Sequence, residues 1–230
     1  MKNIIIIITA VLILTTSSTF AQEYNWNSLK ENRKHLLHLT AGLENGIIFG
    51  GGYGYQLSSK IPIIIGGEYS LPAGKNLIDD LKTKIGGHIR LIKIHNFCLS
   101  AKVQGIYRRY ENNLVQMDNF GTYVGSNVGF YSPKLFAALE FGFDKAIVTY
   151  FKHGNSYREI YQEVVNGWYQ PATGGNYNYG IMAGYSFKKN DLYLRVGKLI
   201  AEDFKTDPFV PFYATIGYNY KINKRSQLSD

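Results

Sequence analysis

Hydrophobic and polar positions alternate with a period of two over most of this chain, the spacing of strands that carry one apolar and one polar face. The segment at 81–110 shows it best. Ile85, Gly87, Ile89 and Leu91 fall on one face, while Lys84, Gly86, His88 and Arg90 fall on the other. After His95-Asn96 the alternation resumes, with Phe97, Leu99, Ala101, Val103, Gly105 and Tyr107 opposite Cys98, Ser100, Lys102, Gln104 and Arg108. Similar alternation predicts strands at 35–44, 47–57, 61–70, 120–130, 135–151, 179–187, 192–197 and 212–220. With the two strands of the hairpin this gives about ten, each of roughly ten residues, the length a tilted strand needs to cross a bilayer.

The connections add a second pattern. Asn45-Gly46 is a strong hairpin signal. The turns at 58–60, 95–96, 132–134 and 188–191 are short, whereas those at 71–80, 111–119, 152–176 and 202–208 are longer. Apart from the first hairpin, long and short alternate, as they do in barrels with short turns at one end and loops at the other. Within the longest insertion, Ser156 and Glu159 have capping-box spacing, and Tyr157, Ile160, Tyr161, Val164 and Val165 recur at helical spacing before Gly167. A short amphipathic helix is expected there, on the barrel mouth or against the long strand. Gly50-Gly51-Gly52 is followed by neither Lys-Ser/Thr nor a helix, so it reads as a bent strand and not as a phosphate loop.

The first residues change the picture. Lys2 precedes an apolar run over 4–14, and Thr19-Phe20-Ala21 precedes Gln22. This is the layout of a secretory signal peptide over 1–21. Residues 22–34 then read as a polar N-terminal leader on the periplasmic side, with Tyr24, Trp26 and Leu29 as its large apolar anchors, and 223–230 as a polar tail. Beyond the leader no window approaches the roughly 18 apolar residues of a helical membrane span. Nineteen Tyr, 13 Phe and 24 Gly beside 6 Pro and 18% charged residues suit strands, barrel bends and aromatic girdles. Cys98 is the single cysteine, so no internal disulfide is available. The formal charge of +8 comes from Lys and Arg scattered through strands, which points to anionic lipid headgroups and away from nucleic acid.

These features predict an all-β fold: a transmembrane antiparallel up-and-down β-barrel over 35–222, of about ten strands, with a short helix in its largest extracellular loop. In lipid the apolar faces turn outward, and closure removes unpaired edges. The inward face then holds His38, Glu44, Glu68, Lys84, His88, Arg90, Lys102, Gln104, Arg108, Asn127, Glu140 and Arg195. Mixed signs in a narrow barrel fill the space and neutralise one another, which predicts a plugged lumen. Charges on the other parity, Arg109, Lys145 and Lys198, are expected near strand ends.

The chain resembles the small single-chain outer-membrane β-barrel proteins of Gram-negative envelopes, over nearly all of 35–222. That resemblance implies an outer-membrane location, outer-membrane lipid as surroundings and the assembly machinery as a partner during biogenesis. It differs at the end of the last strand, where Tyr218 and Tyr220 are followed by a tail and not by the chain terminus. The expected function is an envelope scaffold or surface-binding protein. Tyr157, Tyr161, Trp168 and Tyr169 form the candidate binding surface, and the ligand is not legible from the sequence. A narrow porin and a rim enzyme are the alternatives. For the latter, Asp79-Asp80 and His153 resemble the rim acids and histidine of the omptin surface proteases, and a lipid-modifying barrel enzyme is a further variant. No catalytic set is assigned. The five histidines are spread out, and no metal site or cofactor is expected.

Overall fold

The computed structural model describes residues 23–30, 33–44, 46–72, 80–171, 174–206, 208 and 210–222. The segment 1–21 expected to be a signal peptide, Asn45, Asp79 with most of the 71–80 connection, and the expected tail at 223–230 lie outside the described residues.

Among the described residues there are eleven strands and one helix. The strands are β1 (His35–Glu44), β2 (Ile47–Gln56), β3 (Ile63–Pro72), β4 (Asp80–Ile94), β5 (Phe97–Glu111), β6 (Val115–Tyr131), β7 (Leu135–His153), β8 (Gly167–Tyr169), β9 (Gly175–Phe187), β10 (Asn190–Ala201) and β11 (Phe212–Ile222), and the helix is α1 (Asn155–Ile160). Ten of the strands, all but β8, form a ring in which β7 pairs with β9 and β1 with β11, so they close into an antiparallel barrel. The short β8 adds to β7 above the barrel proper.

Period-two alternation determines which side chains go where. Every barrel strand turns apolar residues outward: Leu39, Phe49, Ile65, Ile85, Val103, Val124, Leu139, Ile181, Leu194 and Ile216 are all exposed, one from each. The opposite parity is buried, and it includes Lys102, Glu68, Glu140 and Asn219. Lys102 is thus interior while the adjacent Val103 is 59% exposed.

Inward-facing glycines let the lumen pack. Tyr193 lies in register with Gly217 across β10 and β11, and a Cβ at Gly217 would meet the Tyr193 ring at 2.2 Å. Phe136 and Gly184 form the same kind of pair across β7 and β9. Each ring lies flat over the neighbouring strand in the space that a side chain would take.

The wall is uneven. β1, β2 and β3 have 10 residues each, whereas β6 has 17 and β7 has 19. The expected loop at 111–119 is mostly strand, because β5 and β6 run on to a tight turn in which Asn112 Oδ1 accepts from the amides of Leu114 and Val115. A bulge at Ile147 reverses the parity of β7 while the strand stays continuous.

Two sequence expectations are corrected. The helix is shorter than expected: it spans six residues, its N-cap is Gly154 and not Ser156, and none of its residues is buried. Gly167 opens β8 and does not end a helix. With Ile160 and Val165 about 70% exposed, no apolar surface covers the rest of the helical pattern. The segment read as a leader before the barrel is, from Glu23 to Trp26, buried inside it.

Candidate functional site in the barrel lumen

The N-terminal segment enters at the short-turn end. Arg33 donates to the Lys188 carbonyl, and Asn25 Nδ2 donates to the Ser132 carbonyl and to Ser186 Oγ, both at 2.8 Å. Above this anchor Tyr24 and Trp26 pack in a cluster with Leu36, Ile64, Cys98, Tyr131, Phe136, Met182 and Tyr193. Trp26 meets His88 edge-on at 4.7 Å. Strand residues on the inward face are therefore apolar near the turns, where they pack against aromatic plug residues, and polar above. The first described residue of the plug, Glu23, is completely buried.

Glu23 joins three walls of the barrel. Its carboxylate pairs with Lys102 and accepts from Asn127 Nδ2 at 2.5 Å, and its carbonyl accepts from Asn219 Nδ2 at 2.6 Å. Arg195 Nε stands 4.0 Å away and donates to Glu140 at 2.8 Å. Glu68 accepts from Gln104 Nε2 at 2.9 Å and has Lys84 Nζ at 3.8 Å. His38 bonds to Asn219 at 2.7 Å, and His88 bonds to Ser100 at 2.9 Å. Below, Asp191 and Lys221 form an ion pair in which both side chains are fully buried. Buried charges persist when paired, and each of these has an opposite charge within 4.0 Å, although Lys84 approaches Glu68 without a hydrogen bond.

Toward the loop end the lumen opens into a cavity of about 240 Å³, lined by Glu44, Lys82, Lys84, Arg108, Tyr123, Asp144, Asn176, Asn178, Arg195, Leu199 and Tyr213. Lys82 Nζ donates to Glu44 at 2.8 Å and stands 3.5 Å from Asp144, which also pairs with Arg108. Arg195 lines the cavity and stands 4.0 Å from Glu23, so the plug lies next to it.

Eleven of the twelve predicted lumen residues thus meet in one connected interior. Arg90 is half-buried on the same face at the β4 bulge, and it belongs to no ion pair among the described residues. Sequence reading missed Glu23, Asn25, Lys82, Asp144, Asp191, Asn219 and Lys221. Lys82 and Asp144 share the parity of Lys84 and Glu140, so alternation alone finds them. Asp191 falls in the predicted turn at 188–191 and Lys221 between the last predicted strand and the expected tail, where parity is hard to assign. Glu23 has no local pattern. The available signal was indirect: apolar residues at the inward positions Leu36, Ile64, Phe136 and Met182 need an apolar partner inside.

The outer loop is built from stacked rings. His153, Tyr157 and Tyr161 form a column with centroid spacings of 5.1 and 4.9 Å. Trp168 lies against Tyr150 and Phe120, and Tyr169 against Phe151. Trp168 and Tyr169 stay half exposed or more. Asp80 begins β4 and His153 ends β7, three strands away, which puts roughly 14 Å of sheet between them at about 4.8 Å per strand. Among the described residues no group of three or more His, Cys, Asp or Glu has metal-binding geometry.

Fold and interior define the class: a closed ten-stranded antiparallel barrel, apolar without and ionic within, with its own N-terminal segment in the lumen. No protein-family model and no curated protein matches the chain.

Proposed function

We propose that this protein is an integral outer-membrane β-barrel with a closed, ion-paired lumen, acting as an envelope scaffold or surface-binding protein. The observation that carries this reading is the apolar belt, which passes through all ten barrel strands with no break. Soluble monomers rarely expose contiguous apolar patches beyond roughly 300–600 Å². In hydrocarbon the same belt is favourable, and closure leaves no strand edge to be satisfied by lipid. The signal-peptide layout of residues 1–21 in the sequence supports the same reading. Outer-membrane lipid and the assembly machinery are the partners it implies.

A surface-binding role rests on the exposed rings of Trp168 and Tyr169, apolar bodies with polar tips carried on β8 beside the longest strand. The plug favours this over a porin. Membrane fractionation with a heat-modifiability gel tests the core of the proposal: the processed protein is expected in the detergent-extracted fraction and to shift mobility on boiling. Recovery as a detergent-free soluble monomer would overturn it. For the loop, deletion of 155–171 should leave the barrel assembled and abolish binding to cell-surface material; unchanged binding rejects that role.

A further inference from the structure

The charges in the lumen balance in number but not along its axis. Six anions (Glu23, Glu44, Glu68, Glu140, Asp144, Asp191) and six cations (Lys82, Lys84, Lys102, Arg108, Arg195, Lys221) make its ion pairs. Around the mouth cavity, however, stand four cations, Lys82, Lys84, Arg108 and Arg195, against two anions, Glu44 and Asp144. The compensating carboxylates lie deeper. The lining itself therefore carries four cations against two anions, with Glu68 and Glu140 standing behind Lys84 and Arg195 at 3.8 and 2.8 Å.

Two of these cations have donors to spare. Lys84 Nζ makes no hydrogen bond among the described residues: its nearest carboxylate oxygen is 3.8 Å away, and the ammonium sits 4.9 Å from the centre of the Tyr123 ring. Arg195 uses Nε on Glu140, and its two terminal amino groups have no hydrogen-bond partner among the described residues. Both side chains are about nine-tenths buried, at 11% exposure, and both line the cavity. The neutral lining adds the Asn176 and Asn178 amides and the Tyr123 and Tyr213 phenols, which suit hydroxyl groups.

We propose that the mouth cavity binds a small free phosphomonoester with one or more hydroxyl groups, of about the size of glycerol 3-phosphate. Such a group carries about −1.5 to −2 at neutral pH and presents three acceptor oxygens, matching both the cations of the lining and the uncommitted donors. A cavity of about 240 Å³ is below the roughly 300–1,000 Å³ of drug-sized sites, so the occupant is small. The closed wall separates the cavity from anything outside the barrel, so the occupant arrives through the mouth. The site is interior, and it stands whether the outer wall meets lipid or not.

Isothermal titration calorimetry on the folded full barrel in detergent, with glycerol 3-phosphate, inorganic phosphate and glycerol as probes, tests this. Glycerol 3-phosphate is expected to bind, inorganic phosphate more weakly, and glycerol not at all. Lys84→Gln should weaken binding by about tenfold or more, the loss of one charge-assisted contact. Glu44→Gln, which removes a competing carboxylate, should tighten it several-fold, an effect that misfolding cannot imitate. Lys93→Gln, exposed at the opposite end of β4, serves as the control and should bind as the parent does. Absence of phosphoester binding by the folded barrel overturns the proposal. So does equal binding of glycerol, or affinity that neither Lys84→Gln nor Glu44→Gln changes.

Discussion

The two ends of the lumen solve the same problem in opposite ways. At the short-turn end, charge is fully removed from water and held by exact pairing, as in Asp191 with Lys221 and Glu23 with Lys102, with aromatic rings filling the space around them. At the loop end the pairs are looser and wetter: Lys82 and Glu44 keep side-chain exposures of 18% and 28% and border a cavity. The deep end depends on each partner, because an orphaned buried charge is costly, whereas the mouth tolerates a missing partner and retains donors for something else. One end of the barrel is thus sealed by buried ion pairs and aromatic rings, and the other keeps a cavity.

Substitutions can break this contrast, and the largest effect belongs to the floor. Glu23→Ala leaves Lys102 buried without its carboxylate and should cost about 3–5 kcal/mol, read as a lowered urea midpoint of the folded barrel in micelles. Gly217→Val comes next. It drives a side chain into the Tyr193 ring and should cost about 1–3 kcal/mol in the same measurement, and Tyr193→Ala in the same chain should recover part of the loss. At the mouth, Glu44→Gln should change stability by about 1 kcal/mol or less, since its pair is partly hydrated. A loss as large as that of Glu23→Ala would erase the distinction between the ends.

The smallest effect lies on the rim. Glu202 accepts from Lys145 Nζ at 2.6 Å and from the amides of Gly174 and Gly175 at 3.1 Å, tying the β10–β11 connection to the foot of the large loop. The Lys145 hydrogen bond first, and the Gly174 amide after it, hold this carboxyl below the usual carboxylate range. Because the folded value is depressed, the tie is complete above the ordinary Glu value of about 4.3 and is lost as pH falls through the folded value. Amide exchange at Gly174 and Gly175 should therefore rise, relative to neighbouring amides, only under acid conditions, and in Glu202→Gln it should be raised at neutral pH as well.

Much of the barrel was legible because alternation is a strict code. A one-residue slip reverses every side chain, so Lys84, Lys102, Gln104, Glu140 and Arg195 were identifiable as a set from parity alone. What alternation cannot encode is which inward residues touch, since that depends on barrel closure. It also cannot encode an irregular segment that folds back inside. Glu23 and Asn25 were therefore read as part of an outside leader, although they make the most connected contacts in the lumen. The large loop failed for the opposite reason: its helical spacing was correct in period, but too few residues gained tertiary cover to extend the helix beyond Ile160.

The unequal wall has one more consequence. β7 carries nine more residues than β1, roughly 30 Å of additional strand at about 3.4 Å per residue. Among the described strands the sheet is therefore short along β1 to β3 and tall along β6 and β7, and the tall side carries the column of His153, Tyr157 and Tyr161.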